Sequence, residues 1–436
     1  MVEYLVATKK HSEMGAFLFY LKPNFRNSLV FRLRLKYRAI QNSLDYFELP
    51  YIIVGMRRKI YNKIVSDLQK KMVFIVGPRQ VGKTWLAKRI MNEYKNPIYL
   101  NYDNSDHREI IKNQSWLSDV DLIVFDEIHK MPKWKNYLKG VYDTKIDTIH
   151  ILVTGSARMD AFKKVGDSLA GRFFVHHLFP FTIAELKGSG FDNAMSLLME
   201  RSGFPEPLLA TNIEDVNRWR SLYTESLLGQ DVLEFQDIDK VNAIRQVYQL
   251  LKNKVGSPIN YSNIARDIGI APATVKKYIE ILEAIYIIFI IKPYTHKISR
   301  SILKEPKIYF FDYASITDVG AKFENFVALA LYKHIKLKND LNGTLYSLGF
   351  LKTKEKKEVD FALADSQNNL IEIIESKVSD ESTSKTLEYF LGKYKVLGTQ
   401  VVYNLNIERI SKNGAQIRKA EKYLENLEEY DTKISG

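Results

Sequence analysis

An unbroken apolar pentapeptide, Met72-Val73-Phe74-Ile75-Val76, runs straight into Gly77-Pro78-Arg79-Gln80-Val81-Gly82-Lys83-Thr84, and the segment from Trp85 to Tyr94 reads as a helix. Strand, glycine-rich loop and helix in that order make the phosphate-loop pattern G-x-x-x-x-G-K-[ST]. A strand apolar on both faces belongs inside a parallel sheet covered by helices, so the motif predicts an α/β core around it. Its glycines let backbone N–H groups close around phosphate oxygens at a helix N-terminus, where the dipole favours negative charge. Lys83 then neutralises β/γ-phosphate charge and Thr84 ligates Mg²⁺, which makes ATP with Mg²⁺ the expected ligand.

Leu122-Ile123-Val124-Phe125-Asp126-Glu127 is a second buried strand, ending in two acids. Asp126 suits the Mg²⁺-side carboxylate, and Glu127 the group that orients and deprotonates the attacking water. A third run, Ile149 to Ser156, ends in hydroxyls, and Thr154 or Ser156 fits the polar group that senses the γ-phosphate. Thr-Gly-Ser after a strand is equally good turn chemistry. Of the two arginines that follow, Arg158 and Arg172, Arg172 is the candidate for a finger supplied by a neighbouring subunit, which would imply self-association as an oligomer or ring. The alternative for Arg172 is a surface or interdomain ion pair.

The chain has 436 residues, enough for about three domains at ~150 residues each. Cysteine is absent, which excludes disulfides, thiolate metal sites and a cysteine nucleophile and favours a cytoplasmic address. The longest apolar run, Ala284 to Ile291, is far short of the ~20 residues that span a bilayer, and the N-terminus lacks a signal-peptide pattern, so no membrane partner is expected. The net charge of +13 favours a polyanion such as DNA. Residues 1–60, however, hold eleven Lys and Arg against four Asp and Glu, so about half of the excess sits in that stretch. Residues 31–38 there alternate apolar and cationic at period two, as a strand with one wet face does.

Taken together, Met56-Arg57-Arg58, the loop from Gly77 to Thr84, Phe125-Asp126-Glu127-Ile128-His129-Lys130 with Trp134, Thr154-Gly155-Ser156-Ala157-Arg158, Leu169-Ala170-Gly171-Arg172 and Gly203-Phe204-Pro205-Glu206 carry a resemblance. Over roughly residues 56–405 the chain resembles the AAA+ superfamily ATPases of bacteria and archaea whose C-terminal domain of unknown function is similar to the restriction-endonuclease fold. The resemblance implies ATP hydrolysis on an AAA+ core, a winged-helix middle and a nuclease-like end. Residues 1–55 have no counterpart in it.

The later sequence fits that organisation on its own letters. Trp219, Leu222, Tyr223 and Leu227 stand at core-like helical spacing, which suits a helical lid. Ile264 to Leu282 reads as helix-turn-helix: Ala265 is small enough for close helix packing, Gly269 supplies the turn and Pro272 opens the second helix. Val275, Ile279 and Leu282 face inward there, so Thr274, Lys276, Lys277 and Tyr278 include the candidate DNA contacts, unless the module contacts protein instead. Ile285 to Ile291 suits a wing hairpin.

Further on, Glu324 near the start of a helix, Asp360 on a strand, and Glu375 with Lys377 on the next match the restriction-endonuclease-like arrangement. There carboxylates hold Mg²⁺ and the lysine assists water attack on a phosphodiester. Period two puts Glu375 and Lys377 on one strand face, although Glu372 is a second candidate carboxylate. The expected fold is thus α/β: a basic extension (1–55), an AAA+ P-loop parallel-sheet core (56–190), a helical lid (191–240), a winged helix-turn-helix (241–300) and a restriction-endonuclease-like domain (301–436). The expected function is a Mg²⁺-dependent ATPase acting on DNA; the competing reading is a slow nucleotide-controlled switch or scaffold that contacts proteins.

Overall fold

The computed structural model describes residues 58–155, 169–191, 193–232, 241–295, 305–343, 345–379 and 382–427. The basic extension, the alternating segment 31–38, Ser156 and Arg158 lie outside the described residues. In chain order, α1 (Tyr61–Leu68) precedes β1 (Met72–Val76), α2 (Lys83–Met91), β2 (Pro97–Asn101), α3 (Ser105–Asn113), β3 (Leu122–Asp126), α4 (Trp134–Thr144), β4 (His150–Thr154) and β5 (Phe173–His177). All five strands are parallel, in the order β2-β3-β4-β1-β5. Every residue of β1 and β3 is buried, as expected for strands covered on both faces. Parallel strands in register bring the loops after β1, β3 and β4 to one edge of the sheet. Gly77 begins the first of these loops at φ 141°, where a Cβ would lie 2.0 Å from the Leu178 carbonyl oxygen. Only glycine fits so close an approach.

Four helices follow: α5 (Ile183–Leu186), α6 (Ala194–Arg201), α7 (Pro205–Leu209) and α8 (Ile213–Ser226), with a π-helical turn at Leu227–Asp231. Trp219, Tyr223 and Leu227 are buried as their spacing predicts, but Leu222 is 71% exposed and lines the groove above the loop from Gly77 to Thr84. Positions 219, 223 and 227 recur every four residues on the packed face, and 222 falls outside that stripe.

Next come α9 (Val241–Lys252), α10 (Tyr261–Ile268) and α11 (Pro272–Ala284), after which β6 (Ile288–Pro293) pairs antiparallel with β7 (Lys307–Phe310). The long α12 (Val319–Asn342) leads to β8 (Ser347–Lys352), β9 (Glu358–Ala364), β10 (Leu370–Ser379), α13 (Lys385–Tyr394), β11 (Leu397–Asn404), β12 (Arg409–Ile410), β13 (Gln416–Lys419) and α14 (Ala420–Glu425). These strands form one mixed eight-stranded sheet, β12-β13-β11-β10-β9-β8-β6-β7. Because β6 pairs with both β7 and β8, the sheet is continuous across residue 300.

The two sheets are joined through α12. His177 donates its backbone N–H to Asp340 Oδ2 at 2.9 Å, and its Nδ1 lies 2.7 Å from the same oxygen. Lys333 Nζ bonds Glu185 Oε2, which also lies 3.3 Å from Arg58 Nη1. Phe179 stacks on Phe311 at 5.7 Å and meets Tyr332 edge-on at 5.6 Å, and a single apolar core runs from Ile60 to Leu427. Burial alone would raise the Glu185 carboxyl, but Lys333 and Arg58 outweigh it and hold it below its ordinary value. Its contribution to stability is therefore full above the ordinary carboxylate range and is lost as pH falls through the lowered value. Glu185→Gln, which leaves two buried cations without their counterion, is expected to cost about 3–5 kcal/mol in urea denaturation of the full chain.

Candidate active site

The first loop wraps the N-terminus of α2, and Lys83 turns back over it: Nζ donates to the carbonyls of Pro78 at 2.6 Å and Gly77 at 3.0 Å. Burial pulls the Lys83 ammonium down to about 8 against the pull of Glu127 and Asp126. A phosphate offered to the loop replaces those carbonyls with a charged acceptor and favours the protonated lysine. Arg79 and Gln80, between the two glycines, face the helical segment. Arg79 pairs with Asp231 at 2.7 Å, and Gln80 Oε1 accepts from Trp219 Nε1 at 2.6 Å. Arg58 braces the loop from behind, donating to the Val81 carbonyl at 2.5 Å and the Phe179 carbonyl at 2.9 Å while its guanidinium stacks 3.5 Å from the Phe181 ring centre.

Asp126, at the end of β3, is buried and accepts three hydroxyl hydrogen bonds. Thr84 Oγ1 is 2.9 Å away, Thr154 Oγ1 2.6 Å and Tyr99 OH 2.5 Å. Thr154 is thus brought to the site, and Ser156 lies outside the described residues. Tyr99 had no distinguishing signal in the sequence, since it sits in an apolar run indistinguishable from core. Burial, then the neighbouring Asp126, hold its phenol far above the ordinary value.

Glu127 adopts φ 55°, held there by its N–H donating to the Thr154 carbonyl at 3.1 Å. A left-handed glutamate is strained, and such strain gathers at functional sites. Its Oε2 has no hydrogen-bond partner and lies 3.8 Å from Lys130 Nζ, which is itself 2.5 Å from Asp103. Burial and then Asp126 raise the Glu127 carboxyl above its ordinary value.

These groups line a groove of about 1230 Å³, walled on one side by the loop, Asp126 and Glu127 and on the other by Glu206, Arg218, Trp219 and Leu222. Thr84 and Asp126 fit a Mg²⁺ ion, because such sites take one or two carboxylates and fill the remaining positions with phosphate and water. Residues 69–187 match the model of an AAA domain.

Beyond the AAA domain, residues 193–318 and 319–422 match two domains of unknown function, DUF8612 and DUF4143. Uncharacterized protein Rv2008c of Mycobacterium tuberculosis is 25% identical over 242 residues, 55% of this chain and 54% of that one, so the match spans about half the relative's length. Uncharacterized protein MJ1637 of Methanocaldococcus jannaschii is 24% identical over 397 residues, 75% of this chain and 80% of that one. Among solved structures, the Walker-type ATPase of Pyrococcus abyssi aligns at 16% identity and a TM-score of 0.41 over 60% of this chain and 95% of its own. A RuvB variant of Thermotoga maritima aligns at 18% and 0.31, over 53% and 88%.

The other expected site residues fall elsewhere. Arg172 precedes β5 at the sheet edge opposite the AAA domain's loop and forms a two-pronged pair with Asp143, at 2.7 and 3.1 Å. Within one chain it does not reach the groove. On α11, Lys276 and Lys277 are exposed and Thr274 half-buried, whereas Tyr278 is buried and belongs to the core.

In the C-terminal sheet, Glu375 pairs with Lys377 at 2.9 Å, while Glu372 turns to Thr399 and Tyr423, at 2.6 and 3.1 Å. Asp360 Oδ2 accepts from the Ser376 backbone N–H and hydroxyl, at 2.9 and 2.7 Å. Glu324 and Asp360 instead meet at Lys307, a residue the sequence motifs did not include. Its signal was a charge at the head of the apolar run Ile308-Tyr309-Phe310-Phe311, where a lysine drawn into the strand needs buried partners. No group of three or more His, Asp or Glu placed to hold a metal occurs among the described residues.

Tyr99→Phe removes one of three donors to a buried carboxylate and is expected to lower the stability of the full chain by about 1.5–3 kcal/mol, read from its denaturant midpoint.

Proposed function

We propose that the chain is a Mg²⁺-dependent ATPase that acts on DNA. The observation that carries the ATPase reading is Asp126, whose carboxylate gathers the hydroxyl at the start of α2 and the hydroxyl at the end of β4 beside the strained Glu127. In this reading the loop N–H groups and Lys83 hold the triphosphate, Thr84 and Asp126 hold Mg²⁺, and Thr154 positions the reacting end. Mg²⁺ when bound supplies charge neutralisation across the phosphates. Glu127 takes up the proton of the attacking water, and its raised proton affinity suits a base better than an ordinary surface carboxylate would. Arg79 and Gln80 link the loop to Asp231 and Trp219, so a change in the loop is felt in the helical segment.

Lys83→Ala is expected to lose nucleotide binding, whereas Glu127→Gln binds ATP and turns over ~10²-fold or more slowly. Equal turnover in wild type and Glu127→Gln would sink the assignment.

DNA as partner is supported by Lys276 and Lys277, which stand exposed on α11 after a turn at Gly269. Lys276→Ala and Lys277→Ala should each weaken duplex binding and make its dependence on salt shallower, the slope changing by ~1 for each phosphate no longer neutralised. An unchanged slope, together with ATPase activity indifferent to DNA, would favour the protein-contact reading.

A further inference from the structure

The resemblance to a restriction-endonuclease-like domain implies a divalent metal held by Glu324, Asp360 and Glu375. The side chains around Glu324 and Asp360 do not fit one, while Glu375 pairs with Lys377 and its Oε2 has no hydrogen-bond partner. Lys307, on β7, is 1% exposed, and its Nζ lies 2.8 Å from Glu358, 3.1 Å from Glu324 and 3.7 Å from Asp360. Tyr309 OH donates to the same Glu324 oxygen at 2.7 Å. Glu358 spends its second oxygen on Lys352 at 2.7 Å, and Asp360 its second oxygen on Ser376. Gly256 closes the remaining side: a Cβ there would sit 2.6–2.8 Å from the Glu324 carboxyl atoms.

We infer that the Lys307 ammonium is the resident cation of this carboxylate cluster, filling the place of a divalent metal and fastening the β6–β7 hairpin to α12 and β9. Magnesium needs near-octahedral oxygen ligands at ~2.0–2.1 Å, and an ammonium hydrogen-bonded to Glu358 and Glu324, with Asp360 3.7 Å away, stands among the carboxylates such a shell would need. The charge balance agrees. Burial alone would lower the Lys307 pKa, but Glu324, Asp360 and Glu358 override it and hold the ammonium above its ordinary value. The cluster belongs to the C-terminal sheet, and its resident cation is the same whether or not the AAA domain hydrolyses ATP.

The test follows thermal melting of the full chain during Mn²⁺ titration. Wild type and Asp360→Asn should respond alike, because any shared Mn²⁺ effect arises outside the cluster. A rise in wild-type Tm that disappears in Asp360→Asn overturns the inference. Lys307→Met should melt roughly 6 °C or more below wild type, and Mn²⁺ should restore most of that loss unless Asp360→Asn is also present. Recovery of soluble Lys307→Met only when Mn²⁺ is included during refolding supports the inference equally. Indifference of Lys307→Met to Mn²⁺, in both melting and recovery, overturns it.

Discussion

Arg58 is the group on which the two halves of the molecule depend. A guanidinium buried in the core needs several acceptors in a fixed plane, and this one finds the Val81 carbonyl of the phosphate loop, the Phe179 carbonyl after β5, the Phe181 ring and Glu185. Glu185 in turn meets Lys333 on α12. The back of the nucleotide loop and the longest helix of the C-terminal sheet thereby share one buried network, in which no member moves without leaving a charge unpaired.

The chain buries charge in two opposite ways. Around Glu185 two cations share one carboxylate, and burial pulls Lys333 down to about 8. Around Lys307 one cation is shared among three carboxylates; burial drives Glu324 toward neutrality, whereas Lys307 and Lys352 hold Glu358 below its ordinary value. Removing one member of such a buried set costs far more than its pairwise attraction suggests, because the remainder stays desolvated. Both clusters lie where α12 meets another element, so the helix is positioned by directional ionic contacts as well as by its apolar face.

Much of the candidate site at the end of the parallel sheet was legible in the sequence because its chemistry is local. Glycine spacing, a lysine and a threonine at a helix start, and two acids at a strand end each fix their surroundings within a few residues. Thr154 could not be separated from Ser156 by letters alone, since both are good turn residues; the register of β3 against β4 brings Thr154 to Asp126. Tyr99 looked like core because a tyrosine in an apolar strand carries no mark of what its hydroxyl meets. Glu324 and Asp360 stood out as acids in the C-terminal sequence, yet their partner Lys307 lies before α12 and on another strand, and only the tertiary fold brings them together. The parallel-sheet core was predictable from its apolar runs; the pairing of β6 with β8 was not, because pairing between distant strands leaves no periodic trace.

The docking of α14 carries a consequence for how the molecule is made. Lys187, just after α5, bonds Asn426 at 3.1 Å, and Leu424 and Leu427 help line the cavity beside Glu185 and Lys333. Residues close to the C-terminus thus finish a wall begun about 240 positions earlier. During synthesis the five-stranded sheet emerges first, but its flank toward α12 and α14 stays wet until residue 427 has been made. Contacts of such long sequence separation are slow to close, so the half-made protein must wait with an apolar flank uncovered.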